Sequence, residues 1–290
     1  MQPNLKFGDP LAQLVEHNTF NVGVLGSSPK RITKGEVTRA SPFFMTMKWT
    51  TIHIDETDST NRWLREYLPL SSPTVVCTDY QTAGRGQGTN TWESERGKNL
   101  TFSIAFCPKG IKTSEQFVLS MAISVALTKT LSGLKEVSIK WPNDIYVGNK
   151  KICGILIENT LTGNHIKDCI MGIGLNVNQT QFVSNAPNPT SMALESGLQW
   201  NREEVLQTLL SNFGQLLDNW NEEAVRSAYR QQLYWRESVH TFHDQNGKFE
   251  ATIIRVENDG HLLLCDTEGR ERRYAFKEVA FLVDNMKNNS

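Results

Sequence analysis

Lys140-Trp141-Pro142-Asn143-Asp144, followed by Lys151 and then by Gly154-Ile155-Leu156-Ile157-Glu158, is the stretch that decides how this chain reads. Val137 to Trp141 has the composition of a buried strand. Pro142-Asn143-Asp144 ends that strand with a preset φ and with side chains able to bond their own backbone. The turn should hold Lys140 in place at the end of apolar sequence. A lysine beside a tryptophan at a strand end is by itself more commonly a snorkelling surface residue than a catalytic one, so the weight falls on its surroundings.

Upstream, an expected strand from Thr74 to Asp79 runs into Gln81-Thr82-Ala83-Gly84-Arg85-Gly86-Gln87-Gly88-Thr89-Asn90-Thr91-Trp92, then Gly97-Lys98-Asn99-Leu100. Glycines at alternate positions let a backbone pass close to a ligand, and Arg85 supplies a planar cation suited to carboxylate or phosphate oxygens. The segment reads as an anion-wrapping loop. It matches neither the P-loop nor the dinucleotide fingerprint, and glycine-rich hairpins are common, so alone it defines no nucleotide fold.

Further strands are expected at Thr50 to Ile54, Leu100 to Phe106, Ile152 to Glu158 and Ile166 to Ile173. Helices are expected from a Ser59 or Thr60 cap to about Leu68, over Thr113 to Leu131, and from the Asn201 and Glu204 capping pattern through Val205 to Trp220. This mixture does not fit a simple parallel βα repeat and predicts an α+β fold, a mixed β-sheet with flanking helices. After a helical segment at Glu222 to Trp235 the texture changes. Short strands alternate with turns at Asn246-Gly247, Asp259-Gly260 and Glu268-Gly269, which predicts a small β-barrel.

With 290 residues, 39% of them hydrophobic, and a formal net charge of -1, the composition suits a globular chain with a sizeable core and offers no basic excess for nucleic acid. No apolar run is long enough to cross a bilayer and no signal peptide is evident, so the cytoplasm is the expected location, with no membrane partner. The five cysteines lack paired metal-type spacing and read as buried free thiols. His240 and His243 fall three apart in an expected strand, which turns them to opposite faces and argues against a metal site.

The first 44 residues stand apart. Leu11 to His17 through Gly26 to Pro29 resembles the peptide obtained when a transfer-RNA gene is translated, so Met45 or Met47 is the expected start, with a genuine linker-like arm as the alternative. Either way disorder is expected before Met45. No helix pair or basic face of a DNA-binding module is evident there.

Taken in order, Asp58-Ser59-Thr60-Asn61, the Gln81 to Trp92 loop, Gly97 to Leu100, Lys140 to Asp144 with Lys151 and Gly154 to Glu158, and Gly172-Ile173-Gly174-Leu175-Asn176-Val177-Asn178 resemble the biotin-protein ligases. The resemblance covers roughly residues 49 to 284 and indicates the type without an N-terminal DNA-binding domain. It implies a catalytic domain over 45–236 and an SH3-like C-terminal barrel over 237–290. It also implies a two-step activity: biotin and ATP give biotinyl-5′-adenylate, which then acylates one lysine of a biotin carboxyl carrier protein or domain. Lys140 and Arg85 are the expected catalytic cations, neutralising carboxylate and α-phosphate. Ser59, Thr60, Asn61, Gln81, Gly84, Arg85, Gly86, Trp92, Lys140 and Gly154 are the expected biotin contacts. The adenylate is expected to touch Arg85, Gln87, Trp92, Lys140, Asn143, Lys151 and Asn176. Magnesium is expected to arrive on the ATP phosphates, with no protein metal site.

One departure stands out. Gln87, Gly88 and Thr89 occupy positions where the family commonly carries a further arginine and a glycine, which predicts a weaker grip on the adenylate. Lipoate-protein ligases share the expected fold and are the alternative within it; a biotin-sensing DNA-binding repressor is the alternative outside enzymology. Monomer and homodimer are equally open.

Overall fold

The structure is a computed structural model, and it describes residues 47–184 and 188–283. The expectations for residues 1–44 lie outside them. β1 (Thr50–Thr57), α1 (Thr60–Glu66), β2 (Thr74–Gln81) and β3 (Leu100–Phe106) come first. A 3-10 turn at Thr113–Glu115 then leads into α2 (Phe117–Thr130). β4 (Val137–Lys140), β5 (Asp144–Val147), β6 (Lys150–Thr162) and β7 (His165–Leu175) follow as successive antiparallel neighbours. The helices α3 (Met192–Ser196), α4 (Arg202–Asp218) and α5 (Glu222–Gln231) precede the last strands, β8 (His240–Asp244), β9 (Gly247–Val256), β10 (Leu262–Asp266), β11 (Glu271–Tyr274) and β12 (Ala280–Phe281).

The first seven strands form one sheet in the order β1-β2-β3-β7-β6-β5-β4. Only β1 and β2 run parallel, so the sheet is mixed, as its uneven strand spacing predicted. β3 is buried at every position and lies inside the sheet between β2 and β7, which explains why its sequence is apolar on both alternating faces apart from small hydroxyls. α2 is buried nearly all round and packs beside α4 and α5. Its missing polar face made its start hard to place: the expected helix from Thr113 begins as the 3-10 turn instead. α4 starts where Asn201 accepts from the Glu203 and Glu204 amides.

The remaining strands form a five-stranded antiparallel sheet, β11-β10-β9-β8-β12, of the SH3-like kind. Its turns sit at the Asn-Gly, Asp-Gly and Glu-Gly pairs. The helix expected to reach Trp235 stops at Gln231, because the chain beyond it bonds to the β4 edge: the Gln232 carbonyl accepts from the Ile139 amide and the Tyr234 amide donates to the Ile139 carbonyl. Tyr234, Trp235, Phe242 and Phe281 stack into one ring cluster, and the Trp141 indole donates to the Gly260 carbonyl at 2.8 Å. The second sheet is thereby fixed against the strand that carries Lys140.

One further expectation, that all five cysteines are buried, needs correction. Cys77, Cys153 and Cys169 are buried, but Cys107 is exposed and Cys265 half-buried, because Cys107 lies just past the end of β3. Burial pushes the thiols of Cys77, Cys153 and Cys169 well above their ordinary value, which keeps them protonated. Among the described residues no helix is long and apolar enough to cross a membrane.

Candidate active site

Sheet edge, loop and second sheet together enclose a cavity of about 350 Å³. Every expected site residue lines it except Gly84 and Asn176: Ser59, Thr60, Asn61, Gln81, Arg85, Gly86, Gln87, Trp92, Lys140, Asn143, Lys151 and Gly154 all face the space. Lys140 and Arg85, set far apart in sequence, share this one hollow.

Lys140 ends β4 directly opposite Asp144 on β5, the two joined through a tight turn with a cis Trp141-Pro142 peptide. Asp144 is nevertheless taken by Lys151, at 2.7 Å. Lys140 Nζ instead donates to the Tyr146 hydroxyl at 3.2 Å, and it lies 4.9 Å from the Tyr146 ring centre and 5.3 Å from that of Phe281. Among the described residues it has no carboxylate partner. Burial holds its ammonium below a lysine's ordinary range, Asp144 offsetting part of that effect and Lys151 adding to it. The result is a fixed, poorly hydrated cation on a cavity wall.

One end of the cavity is a hydrogen-bond chain. Gln81 Oε1 accepts from the Thr60 amide at 2.8 Å; the Thr60 and Ser103 hydroxyls meet at 2.7 Å; Ser103 donates to Asn61 Oδ1 at 2.6 Å; and Asn61 donates to Glu158 at 2.8 Å. Glu158 also faces Arg65 at 2.9 Å and Arg85 at 3.5 Å. These groups are locked by one another, and together they present a rigid polar wall beside the apolar Ile155, Leu156 and Ile173. Ser59 occupies the N-cap position of α1, yet its side chain makes no capping bond. The expected cap is backbone only, and the hydroxyl remains on the cavity wall.

The loop is a closed hairpin. Trp92 N–H donates to the Gly84 carbonyl at 3.0 Å and Gly86 N–H to the Asn90 carbonyl at 2.8 Å. Gly84 is the first correction: it stays out of the cavity lining, and since a Cβ there would lie 2.6 Å from the Trp92 carbonyl oxygen, it serves to let the two arms meet. Trp92 lies across β6 and β7 with its indole nitrogen buried and unpartnered. Its floor is made of glycine, since a Cβ would come within 2.2 Å of the ring at Gly174 and 3.0 Å at Gly154.

Asn176 is the second correction. It is buried, its amide bound to the Thr190 carbonyl at 2.9 Å, and it stays out of the cavity lining because it anchors the segment after β7 to the approach to α3. Asn143 lines the cavity but also gives its amide to the Ile155 carbonyl at 2.6 Å, which pins β5 to β6. Sequence reasoning missed Asp144, Ser103 and Glu158 as partners of the site, and missed Phe276, Lys277 and Phe281 from the second sheet. Asp144 was within reach, standing inside the quoted motif; the second-sheet residues carried no local signal.

Residues 54–176 match the biotin/lipoate A/B protein ligase family. The chain is 28% identical over 236 residues to the bifunctional ligase/repressor BirA of Bacillus spizizenii, covering 77% of this chain and 72% of that one. It is 29% identical over 184 residues to the biotin--[acetyl-CoA-carboxylase] ligase of Paracoccus denitrificans, covering 60% and 76%. The solved biotin protein ligase from Aquifex aeolicus in complex with biotin and ATP superposes with a TM-score of 0.66 at 26% identity, covering 80% of this chain and 97% of that chain. The fold and its cavity are those of an acyl-ligase domain. Residues 54–176 carry the domain of the biotin/lipoate A/B protein ligase family, and the relatives that the chain matches are biotin-protein ligases.

Proposed function

We propose that this chain activates biotin with ATP and transfers it to a lysine of a carrier domain. The carrying observation is Lys140, a desolvated ammonium with no carboxylate partner among the described residues, on a wall shared with Arg85 and Lys151. In the first step a biotin carboxylate oxygen attacks the α-phosphorus and pyrophosphate leaves. Two anions must meet, and preorganised cations in a water-poor cavity lower that barrier most effectively. Lys140 bridges carboxylate and α-phosphate oxygens, while Arg85 exchanges part of its Glu158 pairing for the adenylate. In the second step the neutral amine of the acceptor lysine attacks the acyl carbon and AMP leaves. No enzyme nucleophile is needed.

The polar wall from Gln81 to Asn61 suits the ureido ring of biotin, and the apolar floor its bicycle. Magnesium would enter with ATP and be held through phosphate and water oxygens; Asp144 is the one carboxylate on the cavity wall among the described residues. The biotin carboxyl carrier protein or domain of acetyl-CoA carboxylase is the proposed acceptor, a reading supported by the Paracoccus relative's name, and the cytoplasm the proposed location. The test is incubation with labelled biotin, magnesium ATP and a carrier domain, against lipoate in parallel. Biotin labelling that collapses by a factor of about 100 or more in Lys140→Ala is expected from loss of a charge-stabilising group. Retained labelling would remove the role given to Lys140, and lipoate labelling would move the chain to the other branch of its family.

A further inference from the structure

The loop over the cavity carries one cation, Arg85, and then Gln87 and Gly88. What stands against Gly88 comes from the second sheet. A Cβ added there would lie 2.3 Å from Lys277 Nζ, so the ammonium rests on bare loop backbone and a side chain at 88 would expel it. Lys277 lies between β11 and β12 and lines the same cavity as Arg85, Lys140 and Lys151.

Its backbone is unusual. The turn is closed by Glu278 N–H donating to the Ala275 carbonyl at 3.2 Å, and Lys277 is its third residue, at φ 71°. Glycine takes that conformation freely, whereas a residue with a Cβ is strained in it. The turn would close better with glycine, so the lysine must be explained by its side chain. That side chain serves no ion pair: among the described residues no carboxylate lies within 4.0 Å of Nζ, and the adjacent Glu278 carboxylate accepts from the Ala275 amide instead. Its ring contact is Phe276, with Nζ 5.8 Å from the centroid.

A strained, unpaired ammonium delivered to the rim of a cavity read as binding a polyanion has one evident use. We infer that Lys277 is an active-site residue that binds phosphate oxygens of ATP and of the acyl-adenylate, supplying from the second sheet the charge that the loop lacks at Gln87 and Gly88. Gly88 leaves room for it, so the two halves of the clasp belong together. The inference rests on the ligase reading.

The decisive variant is Lys277→Gly, which removes the ammonium while relieving the backbone, so misfolding does not explain a loss. Isothermal titration of the full chain with magnesium ATP should show binding weakened about tenfold or more, with the preloaded adenylate lost correspondingly faster, as expected for one charged hydrogen bond. Biotin affinity and thermal midpoint should not fall, and Lys277→Arg should restore ATP binding. ATP binding and adenylate lifetime within about twofold of wild type, on a scale where one charged bond is worth tenfold or more, would overturn the inference, as would an equal loss of biotin affinity. A wild type that binds ATP but labels no carrier with biotin sinks the ligase reading alone; the ATP titration still decides Lys277.

Discussion

Lys140 lowers the stability of the unliganded protein, because a charge is held where water cannot fully solvate it and Asp144, itself paired with Lys151, offsets only part of the cost. Lys140→Met keeps the length and removes the charge. It should abolish adenylation yet stabilise the free protein by about 0.5 to 2 kcal/mol, read as a raised thermal midpoint. The pH dependence has a fixed sign. The folded-state value is depressed below the ordinary 10.5, so below it both states hold the proton and the penalty is full. Between the two values the unfolded chain binds more protons, so wild-type stability rises relative to the variant. The difference in midpoint should therefore shrink as the pH rises from the depressed folded-state value towards 10.5; a constant difference would show that the ammonium is not the cause. Lys140 and Arg85 were legible because each sits in local turn chemistry that only a backbone constraint explains. Glu158 and Ser103 were not. A glutamate ending an apolar run and a serine inside a strand acquire meaning only when Asn61 and Arg85 are brought against them.

Among the elements, the paired strands β6 and β7 bear most of the site. Gly172 and Gly174 lie two apart on β7 and face one side, and Gly174 pairs across the sheet with Gly154. A Cβ at Gly172 would lie 2.4 Å from Asn61 Oδ1, so these glycines are clearances for Asn61 and Trp92. Gly174→Ala should push the indole into the cavity, weakening biotin and ATP binding about tenfold and costing about 1 to 3 kcal/mol through overpacking. A calorimetric titration and a shifted tryptophan emission would check it; unchanged emission with unchanged affinity would mean that Trp92 does not depend on that floor. The sequence showed a strand thinned by glycine, but its reason lay in a ring from a distant loop. The long strands were readable from their apolar runs, whereas β5, α3 and β12 are only 4, 5 and 2 residues long, too short for any period to show.

At the scale of the whole molecule, the second sheet forms part of the candidate site's cavity, and one of its joints with the first is a glycine. Gly260, in the turn between β9 and β10 at φ 92°, accepts from the Trp141 indole and would place a Cβ 2.7 Å from the Phe117 ring. The Asp-Gly pair announced the turn; nothing local announced that α2 and the Lys140 strand end would close on it. Gly260→Ala meets backbone strain and overpacking together, so a loss of about 2 to 4 kcal/mol is expected, seen as a lower midpoint in chemical denaturation. A second effect follows from position. Trp141 precedes the catalytic turn, and a displaced indole acceptor lets the Phe281 side of the cavity move away from Lys140. ATP–pyrophosphate exchange at a temperature where the variant is fully folded should therefore show a raised KM for ATP, while biotin, held against the opposite polar wall, binds as before. If stability fell with both constants unchanged, the joint would be structural only, and the second sheet would reach the chemistry through Lys277 and Phe281 without help from Gly260.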